Sequence, residues 1–267
     1  MYAFDYIRPA DVAAAVAGVG RGETGQYLAG GMTLLPTLKM RLARPAALVD
    51  LGAIPGLAGI RVERGRVSVG AMTRHADVAD SAEVKSVLPA LAELAGGIGD
   101  PHVRNRGTIG GSVANNDPAA DYPAAVLGLA ATVVTDRREI AADDYFRGMF
   151  TTALEPGELI VRIEFPVPRR AAYAKFPNPA SRYAIAGVFV AETAAGVRVA
   201  VTGAGPGVFR ASPLEAALAR RFDPAAIEGM EIPAEGLNED LHASAAYRAA
   251  LVTVMAQRAV ATALARG

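Results

Sequence analysis

The sequence predicts an α+β fold in two parts: a larger region of alternating strands and helices, then a small domain of three antiparallel strands plus helices. Three observations carry this. Over residues 1–166, short apolar runs of strand type alternate with Ala- and Leu-rich helical stretches. Pro166-Val-Pro-Arg-Arg170 then interrupts any regular element, because two prolines remove backbone donors and fix φ. Beyond it three strand-like runs come in succession and helices close the chain, the order expected for helices laid on an antiparallel sheet.

In chain order, Asp11 is placed to cap a short Ala/Val helix that ends at residues 18–20. Residues 26–28 form a short strand that runs into Ala29-Gly30-Gly31-Met32-Thr33. Thr33 can cap a helix over 34–42, with Pro36 tolerated in its first turn. Residues 47–51 read as a strand, and 60–62 with 67–69 as a hairpin around Arg64-Gly65. Thr73, or Asp80 with Ser81, can start helical pieces at 74–79 and 84–94. A long glycine- and asparagine-rich loop is expected over 96–121, then a helix at 122–129 and strands at 132–135 and 159–165. After the linker, strands are expected at 172–176, 183–192 and 197–203, and helices at 213–221, 224–228 and 243–265.

Composition excludes several classes of function. With 27 basic and 27 acidic side chains the formal net charge is zero, which argues against a nucleic-acid or anionic-membrane footprint. Cys is absent, so the chain can hold no iron–sulfur cluster, thiolate zinc site, disulfide or catalytic thiol. The start, Met1 to Pro9, has no basic region ahead of an apolar run, and no stretch approaches the roughly 20 apolar residues that span a bilayer. A soluble cytoplasmic protein without membrane insertion is expected. His75, His102 and His242 share no metal-ligand spacing, so no metal site is expected. Nor is there a Ser-His-Asp set or a paired carboxylate: Glu155 and Glu158 read as turn and strand-leading residues.

Two glycine segments stand out. Ala29-Gly30-Gly31-Met32-Thr33 follows a strand and opens a helix, where adjacent glycines and free amides let an oxyanion approach closely. Gly107-Thr108-Ile109-Gly110-Gly111-Ser112 adds two hydroxyls that can donate to phosphate, and Asn115-Asn116-Asp117-Pro118-Ala-Ala-Asp121 ends downstream in a carboxylate that can hold a ribose or ribityl hydroxyl. Each Gly-Gly can equally be a tight turn. The first segment lacks the third glycine of a Rossmann fingerprint and neither is followed by a Walker lysine. Taken alone, the residues point to a diphosphate-containing nucleotide and no further.

A resemblance narrows this. Ala29-Gly-Gly-Met-Thr-Leu-Leu-Pro-Thr-Leu-Lys-Met-Arg-Leu-Ala-Arg-Pro45, Gly70-Ala-Met-Thr-Arg-His-Ala-Asp77, Arg104-Asn-Arg-Gly-Thr-Ile-Gly-Gly-Ser-Val-Ala-Asn115, Asp117-Pro-Ala-Ala-Asp-Tyr-Pro123 and Gly157-Glu-Leu-Ile-Val-Arg-Ile-Glu-Phe-Pro166 occur in this order. Together with Lys175-Phe and Arg182-Tyr-Ala-Ile-Ala186, they resemble the FAD-binding medium subunits of molybdenum hydroxylases of the aerobic carbon monoxide dehydrogenase and xanthine dehydrogenase type. The resemblance covers essentially the whole chain. It implies a two-lobed PCMH-type, vanillyl-alcohol oxidase-like FAD domain over 1–170, with lobes at roughly 1–55 and 56–170. A carbon monoxide dehydrogenase flavoprotein-like C-terminal domain follows over 171–267.

Carried over position by position, the resemblance implies that Tyr27, Leu28, Ala29, Gly30, Gly31, Met32, Thr33 and Leu34 wrap the adenosine diphosphate half of FAD. Thr108, Ile109, Gly110, Gly111 and Ser112 would form a second cradle, with Asp121 on a cofactor hydroxyl. Ile98, ten residues before Thr108, would sit near the isoalloxazine. Ile160 and Lys175 would close the flavin end, and Tyr183 would lie over the ring. Ile98 and Ile160 also suit a plain core role, Tyr183 a sheet cap, and Lys175 a water-facing strand position. With Met32 where a histidine could attach the cofactor, FAD is expected to be noncovalent, and His102 is the residue that could overturn this. Molybdopterin and [2Fe–2S] clusters would belong to a large and a small partner subunit, assembled as a dimer of heterotrimers. The competing readings are a stand-alone FAD-dependent reductase or oxidase of the same domain superfamily, and a non-catalytic nucleotide-binding scaffold.

Overall fold

The computed structural model describes residues 1–20 and 24–266. Strands β1 (Asp5–Ile7), β2 (Gly25–Leu28) and β3 (Ala47–Asp50) form a parallel sheet with β3 in the middle. Helix α1 (Val12–Val19) follows β1, and α2 (Leu34–Lys39) lies between β2 and β3. Asp11 caps α1, its carboxylate accepting from the Ala14 amide at 2.7 Å. Thr33 does not cap α2: its own backbone is already helical and its side chain makes no cap bond. The helix also stops at Lys39 instead of Leu42, because Arg41 takes a left-handed backbone, φ 61°, that a right-handed helix cannot contain.

The expected hairpin comes next, β4 (Ile60–Glu63) and β5 (Arg66–Gly70). Arg64 and Gly65 both have positive φ, as a two-residue type I′ turn demands. Helices α3 (His75–Asp80), α4 (Ala82–Val87) and α5 (Pro89–Gly96) follow. The single helix expected over 84–94 breaks at Leu88, φ −146° and ψ 60°, since Pro89 disfavours a helical residue before it. Ser81 caps α4, whereas the Thr73 hydroxyl bonds the Gly59 backbone and leaves the N-cap position of α3 to Arg74.

The expected loop over 96–121 contains two short helices: α6 (Pro101–Arg104), capped by Asp100, and α7 (Ile109–Asn115), capped by Thr108. Then come the wholly buried α8 (Tyr122–Gly128) and β6 (Thr132–Thr135). Next are β7 (Glu139–Ala141), α9 (Ala142–Tyr145), β8 (Phe146–Gly148) and β9 (Thr151–Thr152), none of which the pattern announced. Strand β10 (Ile160–Pro166) completes an antiparallel sheet ordered β4-β5-β10-β6-β7.

The C-terminal sheet runs β11 (Arg170–Pro177), β12 (Ala184–Thr193), β13 (Gly196–Thr202), β14 (Phe209–Arg210), all antiparallel. Two-residue β14 adds a fourth strand to the three expected. Helices α10 (Ser212–Arg220) and α11 (Ala245–Ala265) follow, with a 3₁₀ turn at Pro224–Ile227 between them. The period of two along the strands divides the sheet between two cores. Val188, Val190, Val199 and Val201 pack with α11, while Phe189, Ala191 and Ala200 join the core that holds α5 and α8. Both faces are covered, so β12 reads as an almost continuous apolar run. This packing sets β11 beside α8, where its Tyr173 and Lys175 side chains reach Asp121.

Candidate functional site

A cavity of about 600 Å³ lies between residues 29–34 at the β2–α2 junction, residues 98–121 through α6 and α7, and residues 154–160 leading into β10. Ser181, Arg182 and half-exposed Tyr183, from the turn before β12, border it as well. A space of this size suits a ligand of drug size or somewhat larger.

Of the residues singled out from the sequence, Tyr27, Ala29, Gly30, Gly31, Met32, Thr33, Leu34, Ile98, Thr108, Gly110, Gly111, Ser112, Asp121, Ile160 and Tyr183 line this cavity. Leu28, Ile109 and Lys175 do not. Leu28 ends β2, and Ile109 is fully buried in the core that also holds α5 and α8. Lys175, expected at the flavin end, gives its ammonium to the Gly97 carbonyl and to the carboxylate of cavity-lining Asp121. Ile160 both lines the cavity and belongs to the core, so its two readings are compatible.

The two glycine segments meet. A Cβ on Gly30 would overlap the Arg106 carbonyl oxygen, and one on Gly111 would lie 3.5 Å from the Cβ of Ala29. Gly31 sits at φ 75°, a backbone that favours glycine. Among the described residues, the amides of Gly30, Gly31, Met32 and Thr33 have no protein acceptor, so four consecutive donors sit unpaired in residues that line the cavity.

The second segment does not repeat this row of open amides. Ile109 donates to the Thr73 carbonyl at 3.1 Å, Gly110 to the Ala71 carbonyl at 2.9 Å and Gly111 to the Thr108 hydroxyl oxygen at 3.2 Å. A Cβ on Gly110 would lie 2.5 Å from that of Ala71, so this glycine exists to bring α7 against β5. What the segment offers the cavity is hydroxyl chemistry: Ser112, and Thr108 with its proton free because its oxygen accepts from Gly111.

The third wall is locked by ion pairing. Buried Glu158 accepts from Arg138 Nε and Nη2 at 2.9 Å each and from the Glu155 amide at 2.7 Å. Arg138 above all holds the Glu158 carboxyl down at about 2. The sign follows: the folded value lies below the unfolded one, so this stabilisation is present above the ordinary glutamate range and is lost as pH falls toward 2. The Tyr27 hydroxyl donates to the Gly157 carbonyl at 2.8 Å, tying β2 to the same turn, and burial pushes the phenol up to about 12.

His75 lines the cavity, and burial brings its imidazole down to about 4, so it is neutral at pH 7. His102 is exposed on α6 and outside the cavity wall. Among the described residues no group of three or more His, Asp or Glu could hold a metal ion, and no helix is long and apolar enough to cross a membrane.

Two contributors escaped the sequence reading. Arg104 Nη1 donates to the carbonyls of Ile98 and Gly99 at 3.0 and 3.2 Å and clamps that wall. The Tyr173 hydroxyl donates to Asp121 at 2.5 Å. Its place two residues from Lys175, on the same face of β11, was the available signal.

Residues 2–168 match the family model described as the FAD binding domain in molybdopterin dehydrogenase. The chain belongs to this family. Within it, the chain is 37% identical to the carbon monoxide dehydrogenase medium chain of Hydrogenophaga pseudoflava, covering 98% of each. It is 35% identical to the nicotine 6-hydroxylase medium subunit of Paenarthrobacter nicotinovorans, over 99% of this chain and 98% of that one. A solved carbon monoxide dehydrogenase from Hydrogenophaga pseudoflava, lacking the Mo-pyranopterin moiety of its cofactor, superimposes with a TM-score of 0.89 at 38% identity. That match covers 99% of this chain and 98% of the other. The α+β architecture is therefore the family's fold.

Proposed function

We propose that this chain is the FAD-carrying medium subunit of a multi-subunit molybdenum hydroxylase. It would accept electrons from [2Fe–2S] clusters on a small partner subunit and pass them to an external acceptor such as NAD, a quinone or oxygen. The observation that carries the reading is the row of unpaired amides at Gly30–Thr33, set in a 600 Å³ cavity of a chain from an FAD-binding family. FAD, when bound, supplies the chemistry that takes electrons singly and releases them singly or in pairs.

The chain's own residues bind and orient. The first glycine segment holds the diphosphate through its amides, and Ser112 and Thr108 add hydroxyl donors beside it. Ile98 and Ile160 give the flavin end an apolar wall, Tyr183 closes it from the solvent side, and Asp121 accepts from a cofactor hydroxyl. Retention is noncovalent: Met32 stands in the first segment and His102 lies outside the cavity wall. The flavin domain is assigned to 1–170 in two lobes and the C-terminal domain to 171–267. The molybdopterin-binding large subunit and the [2Fe–2S] small subunit complete a dimer of heterotrimers in the cytoplasm.

Absorbance of the purified full chain tests this. A yellow protein, or a colourless one that gains stoichiometric flavin bands on adding FAD, is expected. A chain that never gains them overturns the flavoprotein reading. A yellow chain that fails to associate with co-expressed large and small subunits overturns the subunit role in favour of a stand-alone flavin enzyme.

A further inference from the structure

The cavity wall at Asp121 is built from buried charge. Asp121 occupies the N-cap position of α8 and is 5% exposed, yet its side chain makes no cap bond. Its carboxylate points instead to β11, where the Tyr173 hydroxyl donates to Oδ1 at 2.5 Å. The Lys175 ammonium lies 3.0 Å from Oδ1 and 3.1 Å from Oδ2. The same ammonium donates to the Gly97 carbonyl at 2.8 Å, directly before cavity-lining Ile98. One lysine thus joins two walls of the cavity. The tyrosine reaches Asp121 only because the opposing strand has no side chain at that point: Gly187 pairs with Lys175 across β11–β12, and a Cβ there would overlap the Tyr173 oxygen.

We propose that Tyr173 is a positioning residue that holds Asp121 against Lys175, so that the pair presents a fixed, near-neutral charge to bound FAD and sets how readily it is reduced. This rests on the FAD site proposed above. Reduction adds two electrons and, near neutral pH, one proton, so the ring gains one negative charge. A carboxylate satisfied by a tyrosine donor and a lysine opposes that charge little; one that has lost its donor opposes it more. Tyr173 is suited to the task because burial, with the Asp121 charge beside it, raises its phenol well above the usual range and keeps it a donor. The other groups that feel the Asp121 charge are Tyr122 on α8 and Tyr183 in the turn before β12, and Asp117 acts on Tyr183 as well.

The test uses the full chain with Tyr173→Phe. Loaded with FAD, and above the pH at which Asp121 titrates, the variant is expected to keep stoichiometric flavin. Its two-electron reduction constant should fall about tenfold, a midpoint potential about 30 mV lower. In the FAD-free chain, the Asp121 carboxyl carbon followed by NMR should titrate at higher pH than in the parent, because a donor that favours the ionised form is gone. Gly187→Ala, which displaces the hydroxyl without deleting it, should move both readouts in the same direction. A Tyr173→Phe chain with unchanged potential and unchanged Asp121 titration, differing only in melting temperature, would overturn the proposal and leave Tyr173 a packing residue. If the parent chain binds no FAD, the flavin reading fails on that result, while the FAD-free titration still decides whether Tyr173 positions Asp121.

Discussion

Gly30 and Gly110 each lie where a Cβ would collide with another segment, Gly30 with the backbone at Arg106 and Gly110 with Ala71. Around Gly30, four successive amides are left without protein acceptors, and the chain then enters the short helix α2. Around Gly110, the corresponding amides are all engaged, with Thr73, Ala71 and Thr108. Two segments of similar composition therefore divide the work: the first leaves donors open to a ligand, and the second uses glycine to seat a helix against a strand. A Gly-Gly pair reports close approach in both places. Only the bonding of its amides reveals whether the approaching group is a ligand or the protein itself.

This division predicts different failures. Gly110→Val should destabilise the fold, since neither Ala71 nor its backbone can retreat from added methyl groups. Overpacking of this kind costs about 3 kcal/mol, a fall of roughly 6–12 °C in melting temperature for a chain of this size. Calorimetry of the FAD-free chain checks it. A variant that melts like the parent but binds no FAD would show that the second segment is a ligand cradle after all, and the comparison would collapse.

Met32→Pro attacks the first segment from the opposite side. It removes one amide that has no protein acceptor, so folding loses no hydrogen bond. A donor to a charged phosphate contributes about 1.5–3 kcal/mol, so FAD should bind roughly tenfold to a hundredfold more weakly. Flavin fluorescence titration measures the affinity, and the FAD-free melting temperature controls for folding. Unchanged affinity would mean that the diphosphate is held elsewhere.

How far such a division could be read beforehand differs from place to place. The Asp11 cap, the Arg64-Gly65 turn and the long strands of the C-terminal sheet follow from local chemistry and appear as expected. Helix α7 falls where the sequence predicts loop because two consecutive glycines each cost about 1 kcal/mol in a helix, and what overrides that cost is contact with Ala71, distant in sequence. The same limit hid the link between Asp121 and β11. Asp121, Tyr173 and Lys175 are each visible as residues, but their meeting depends on how the C-terminal sheet docks on α8. For that reason Lys175 can be read from the sequence either as closing the flavin end or as facing water, whereas its side chain is 10% exposed and bonds Gly97 and Asp121.

Ser112→Ala is the mildest probe and the one that sharpens the comparison most. If the second segment contributes to binding through hydroxyls and not amides, its share should be small and separable from the fold. The Ser112 amide donates to the Thr108 carbonyl at 3.0 Å and keeps α7 in register whatever the side chain. Its hydroxyl has no protein partner among the described residues and lies in the cavity wall. Removing it should leave the FAD-free melting temperature within about 1 °C of the parent. FAD affinity should fall about fivefold, the effect of roughly 1 kcal/mol from one hydrogen bond. A loss as large as that of Met32→Pro would place the diphosphate against α7, and the first segment would then be the one whose glycines only make room.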